Sequence, residues 1–308
     1  MEQRRRRDPV PAAASRAVEI PFDARHLDAD LVPARGNNGL ILFAHGSGSG
    51  RRSPRNREVA RGLKRLGFGT LLLDLLDPAE ARADEANAAY RFDIPLLTGR
   101  LIRATEWLLG RPETAARPLG FYGASTGGAV ALRAAVAHPE AVRAIVLRGA
   151  RSDLADAVVS EVRCPTLFLV GSEDPEVRAL NEATYSLLRA PKRLVVVPGA
   201  GHLFEEPGAL EAVSRETAEW FRAHLGPSPT PPRPPGSTAP ARPDRPGREV
   251  AGRASPGRGR VRIDPSYPGG PNRMPCGPVL TEAAARASGT WSAGGSTAGA
   301  SGASTARS

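Results

Sequence analysis

The chain has 308 residues, a formal charge of +10 and two cysteines, which leaves no disulfide framework or cysteine-based zinc site to propose and makes a reducing compartment the expected setting. No stretch reaches the roughly 18 apolar residues of a membrane span, and Pro9, Pro11 and Ser15 interrupt any leader-like apolar run near the start, so the expectation is a cytoplasmic protein with no membrane span. The excess positive charge lies at the two ends, at Arg4 to Arg7 and along 226–308, while 19–225 carries as many acids as bases; nucleic acid is therefore not expected to bind the folded part, because it calls for a basic folded face.

Up to about Leu225, Val, Ile, Leu and Phe recur every few residues, whereas 15 of the 30 prolines fall beyond that point among Gly, Ser, Ala and Arg. Proline neither donates to a strand ladder nor continues a helix, so the reading is a basic flexible N-terminus over 1–18, one domain over 19–225 and a disordered tail over 226–308. Within the domain, short apolar runs at 39–45, 69–76, 118–123, 144–148, 165–171 and 193–198 are continuous rather than alternating, as strands covered on both faces require. Helical spacing separates them at 55–66, 94–109, 127–137, 176–188 and 210–225. In the second of these, Leu97, Leu101, Ala104 and Leu108 form one stripe beside Arg100, Arg103 and Glu106. Alternation of strand and helix predicts a doubly wound, mostly parallel α/β sheet with right-handed crossovers. Residues 151–163 allow one short helix between the fourth and fifth strands, too little for a cap domain, so the site should be open. Arg91 and Asp93 read as a local pair or helix cap, and Cys164, just before Pro165, as a small buried side chain.

In such sheets ligands bind beyond the carboxyl ends of the strands. There the chain reads HGSGSG at 45–50, GASTGG at 123–128, GSED at 171–174 and GAGH at 199–202. Ser125 is the centre of Gly-x-Ser-x-Gly between a strand and a helix, where a sharp turn presents a hydroxyl and demands small neighbours. His202 lies in a Gly-rich loop, and its imidazole can take that hydroxyl's proton. Asp174 suits the role of orienting the imidazole, with Glu173 as the competing acid and a charge at a helix N-terminus as the bland alternative. Thr126 N–H and the N–H of Gly46 or Ser47 are the expected oxyanion donors. A phosphate loop is the rival reading of 45–50, but Arg51 stands where a third glycine would be, and no Gly-Lys-Ser/Thr follows. Arg148 and Arg151 are candidates for holding a substrate carboxylate or phosphate, against a surface role or an ion pair with Asp153.

The order of these four motifs across about 18–225 resembles the α/β-hydrolase superfamily and, within it, the small dienelactone-hydrolase-like enzymes. The resemblance implies hydrolysis of an ester, thioester or lactone of a small-molecule acyl substrate through an acyl-enzyme, with Ser125, His202 and Asp174 as triad and no metal or organic cofactor. One departure matters: dienelactone hydrolases use a cysteine nucleophile, and Ser125 stands here, so their lactone substrate is not carried over. Two other readings remain open. One is acyl transfer on the same triad; the other is a non-catalytic scaffold whose basic ends bind nucleic acid or an anionic surface.

Overall fold

A computed structural model describes residues 14–226. The disordered tail and most of the flexible N-terminus expected from the sequence lie outside the described residues. In chain order the elements are β1 (Arg16–Phe22), β2 (Arg25–Val32), β3 (Leu40–Ala44), α1 (Pro54–Arg65), β4 (Gly69–Leu73), α2 (Pro78–Asn87), α3 (Ile94–Leu109), β5 (Leu119–Ala124), α4 (Thr126–Ala137), β6 (Val142–Arg148), β7 (Thr166–Gly171), α5 (Pro175–Leu187), β8 (Lys192–Val197) and α6 (Ala209–Leu225). They build one eight-stranded sheet in the order β1-β2-β4-β3-β5-β6-β7-β8. β3 to β8 run parallel, and β1 and β2 are antiparallel to their neighbours.

Every residue of β3, β4, β5 and β7 is buried, because helices cover both faces of the sheet. Leu97, Leu101 and Leu108 of α3 and Ala129, Val130 and Leu132 of α4 pack on one side. Val59 and Leu63 of α1 and Val213 and Phe221 of α6 pack on the other. Helix starts are written locally: the Ser53 hydroxyl accepts from Asn56 N–H, Asp77 and Glu80 form a reciprocal capping box on α2, and Asp93 accepts from Leu96 N–H at 2.9 Å. Such a cap is worth about 1 kcal/mol.

Three features depart from the sequence reading. β1 begins at Arg16, inside the segment expected to be flexible, and pairs with β2 from Arg16↔Leu31 to Phe22↔Arg25; its burial alternates because one face of this edge hairpin meets solvent. Helix α2 was not expected, since its apolar residues lack helical spacing. The β6–β7 connection carries two 3-10 turns, Ser152–Ala155 and Val159–Glu161, in place of an α-helix. No helix among the described residues is long and apolar enough to cross a membrane.

Candidate active site

Ser125 is the single residue between β5 and α4, with φ 51° and ψ −125°, a conformation that costs an L-residue free energy and persists only when its surroundings impose it. They do so here with hydrogen bonds on both sides. Ser125 N–H donates to Arg148 O at 3.1 Å, and Ser125 O accepts from Gly128 N–H at 2.9 Å and Arg151 N–H at 3.0 Å. Glycine is required two residues on: a Cβ on Gly127 would lie 2.2 Å from Ala44 O and 2.5 Å from His45 O.

His202 and Asp174 reach the same edge from the ends of β8 and β7. His202 Nδ1 lies 2.7 Å from Asp174 Oδ2, and His202 Nε2 lies 3.4 Å from Ser125 Oγ. A proton on Nδ1, donated to the carboxylate, leaves Nε2 as an acceptor for the serine hydroxyl. Glu173, the competing acid, instead accepts from the Ser172 hydroxyl at 2.9 Å. The arrangement can pass a proton from an alcohol to an imidazole whose developing charge meets a carboxylate.

The loop after β3 abuts the nucleophile turn, since a Cβ on Gly46 would stand 3.0 Å from Ser125 Cβ. Thr126 opens α4, so its N–H has no acceptor within the helix. Ser47 differs from expectation: its N–H donates to Thr126 Oγ1 at 2.9 Å and is not a free oxyanion donor. Packing of two segments 79 residues apart brings that hydroxyl to the amide, which no local pattern announces.

His45 has a role the sequence reading missed. Its Nε2 accepts from Leu75 N–H at 3.0 Å, so Nδ1 carries the hydrogen and donates to Gly46 O at 2.9 Å. Burial lowers its pKa and keeps the ring neutral. The ring thus ties the end of β4 to the loop that faces Ser125. The His-Gly pair after a buried strand was the available signal.

The two candidate arginines behave differently. Arg151 is held by Asp153 through Nε at 2.9 Å and Nη2 at 2.8 Å, the local ion pair that was the alternative to a substrate contact. Arg148 is buried, 7% exposed, and its Nε and Nη1 have no hydrogen-bond partner among the described residues; its guanidinium lies 5.9 Å from the Phe204 ring centre. Arg91 pairs with Asp84, Nε to Oδ2 at 2.8 Å, while Asp93 caps α3. The Cys164 thiol is buried and pushed up to about 12 by desolvation, which makes it inert. Glu19, His26 and Asp28 on the β1–β2 hairpin have ligand atoms within 4.8 Å of one another, although Asp28 already accepts from Arg51 at 3.0 Å.

A cleft of about 450 Å³ runs along residues 45–50, with Leu76, Pro78, Ala81 and Leu97 supplying apolar lining and Asp28, Arg51, Arg52, Asp74, Asp84, Glu85 and Arg91 charged lining. Through Gly46 it adjoins Ser125. Ser125, Asp174 and His202 are not themselves among the residues that line it.

A doubly wound sheet with a serine at its strand-to-helix turn and no cap insertion defines a class, the α/β-hydrolase fold, and comparison with known proteins agrees. Residues 39–163 match the alpha/beta hydrolase fold family. The chain is 47% identical to a dienelactone hydrolase from Anabaena variabilis, with a TM-score of 0.69, over 70% of this chain and 100% of that one. It is 31% identical over 245 residues to an uncharacterised protein of Mycobacterium tuberculosis, covering 68% of this chain and 84% of the relative. A further M. tuberculosis relative, named provisionally as a phosphoribosyl transferase, is 50% identical over 208 residues, which are 67% of this chain and 45% of that protein. The chain thus spans less than half the length of that relative. The chain belongs to the α/β-hydrolase family, among its dienelactone-hydrolase-like members.

Proposed function

We propose that the chain is a serine hydrolase that cleaves an ester, thioester or lactone through an acyl-enzyme on Ser125. The observation that carries this reading is the run from Ser125 Oγ to His202 Nε2 at 3.4 Å and from His202 Nδ1 to Asp174 Oδ2 at 2.7 Å, assembled from three loops at one sheet edge. Ser125 Oγ attacks the acyl carbonyl carbon while its proton passes to His202 Nε2, and the imidazolium is stabilised by Asp174. The tetrahedral oxyanion forms against Thr126 N–H and the loop at Gly46. Collapse expels the leaving group, which takes the proton from His202. Water, activated by the same imidazole, then attacks the acyl-enzyme and releases acid and free serine.

The hydrolase relatives support the reaction class. The phosphoribosyl transferase name belongs to a protein of which this chain covers 45%, so it lends no support to that activity here. A fluorophosphonate probe tests the proposal: labelling of the wild type but not of Ser125→Ala is expected, and equal labelling of both, or none of either, sinks it. A panel of p-nitrophenyl esters, thioesters and lactones, run with an added alcohol acceptor, then assigns the substrate and separates hydrolysis from transfer.

A further inference from the structure

We propose that Thr126 stabilises the oxyanion with its side-chain hydroxyl as well as its main-chain N–H, a role that rests on the serine-hydrolase reading above. An amide carries one hydrogen, and that of Ser47 is directed at Thr126 Oγ1 at 2.9 Å, so the contribution of Ser47 reaches the site through the threonine. Thr126 is buried, 4% exposed. Its Oγ1 accepts from Ser47, and its own hydroxyl hydrogen meets no acceptor among the described residues. A buried donor without an acceptor is costly unless a ligand completes it.

The position suits an oxyanion. Thr126 directly follows Ser125, and its Oγ1 is tied to the residue after Gly46, the glycine whose added Cβ would stand 3.0 Å from Ser125 Cβ and 3.7 Å from Ser125 Oγ. The hydroxyl therefore bridges the residue after the nucleophile to the loop that packs against Ser125, and an oxyanion formed on Ser125 would need its donors from these two segments. Accepting from Ser47 N–H polarises the O–H bond and makes it a better donor. Donors from both the main chain and the side chain of one residue then converge on the developing charge, and His45, by holding Gly46 O, fixes the loop that orients them.

The test compares wild type, Thr126→Val, Thr126→Ser and Ser125→Ala on a p-nitrophenyl ester and its thionoester, whose sulfur is a weak hydrogen-bond acceptor. Valine keeps the shape and deletes the hydroxyl. The expected result is a loss of about 100-fold in kcat for the ester with Thr126→Val, a KM within about twofold of wild type, a clearly smaller loss for the thionoester, and recovery with Thr126→Ser. Wild-type turnover by Thr126→Val would overturn the proposal. So would an equal loss on both substrates, which marks a structural role. If Ser125→Ala hydrolyses the ester as well as wild type, the serine-hydrolase reading itself fails and takes this proposal with it; that outcome is distinct because it is seen without any change at Thr126.

Discussion

The N–H of Leu75, just past β4, donates to Nε2 of His45, just past β3, at 3.0 Å, and this one bond determines which ring nitrogen holds the hydrogen that His45 gives to Gly46 O. The ring is buried and neutral, its pKa lowered chiefly by desolvation. Protonation would add a hydrogen where Nε2 must accept. The unfolded chain, free of that constraint, binds a proton near the ordinary histidine value of about 6.5, so the contribution of His45 to stability is complete above that pH and is lost as pH falls from there toward the lowered folded value. Denaturant midpoints at pH 7.5 and 5.5 should fall more on acidification for wild type than for His45→Gln. The variant should also lose activity at pH 7.5 through its slackened loop.

Asp174, not Glu173, accepts from His202. Asp174→Asn is expected to lower kcat by about 1,000-fold or more with little change in KM, because an amide favours the wrong imidazole tautomer. Glu173→Gln should stay within a few-fold of wild type. Steady-state kinetics on one activated ester checks both, and comparable losses in the two variants would contradict the assignment.

Gly127 leaves no room for a methyl group, since the nearest atoms to an added Cβ are the backbone oxygens of Ala44 and His45 at 2.2 and 2.5 Å. Backbone cannot give way as a flexible side chain can. Gly127→Ala should cost about 3 kcal/mol or more of stability, read as a shift of the urea midpoint, and should displace Ser125 enough to abolish probe labelling even in the fraction that folds.

Arg148 and Arg151 should separate cleanly. Arg151 and Asp153 form a partly exposed pair, and Arg151→Ala is expected to change stability by less than about 1 kcal/mol and to leave kcat/KM unaltered. Arg148 is buried with Nε and Nη1 unpartnered among the described residues, and an unpaired buried cation opposes folding. Arg148→Met should therefore keep or raise the thermal midpoint. If the guanidinium also receives a substrate anion, as the sequence suggested, the same variant raises KM for acidic esters over neutral ones; equal KM changes on both would remove Arg148 from substrate recognition.

What could be read along the chain was whatever depends on neighbours in sequence. The buried parallel strands announce themselves as continuous apolar runs, and α1 and α3 to α6 fall within a residue or two of the expected bounds because their stripes and caps are local. The hairpin β1–β2 was missed because a strand with one wet face alternates, and RHLDADLV looks polar beside LILFA. Helix α2 was missed because its signature is the cap Asp77 and Glu80 rather than an apolar stripe.

The sequence by itself determined the fold class and the serine and histidine proposed for catalysis, with Asp174 favoured over Glu173 as the acid, since hydrophobic period and a short motif after each strand are properties of contiguous residues, and the order of serine, acid and histidine follows from the order of the strands. Only the tertiary structure decided which acid faces His202, that Ser47 donates to Thr126 and that His45 is anchored by Leu75. Those choices depend on contacts between segments 28, 79 and 30 residues apart, and such contacts are set by how the loops pack at the sheet edge, which local propensity does not specify.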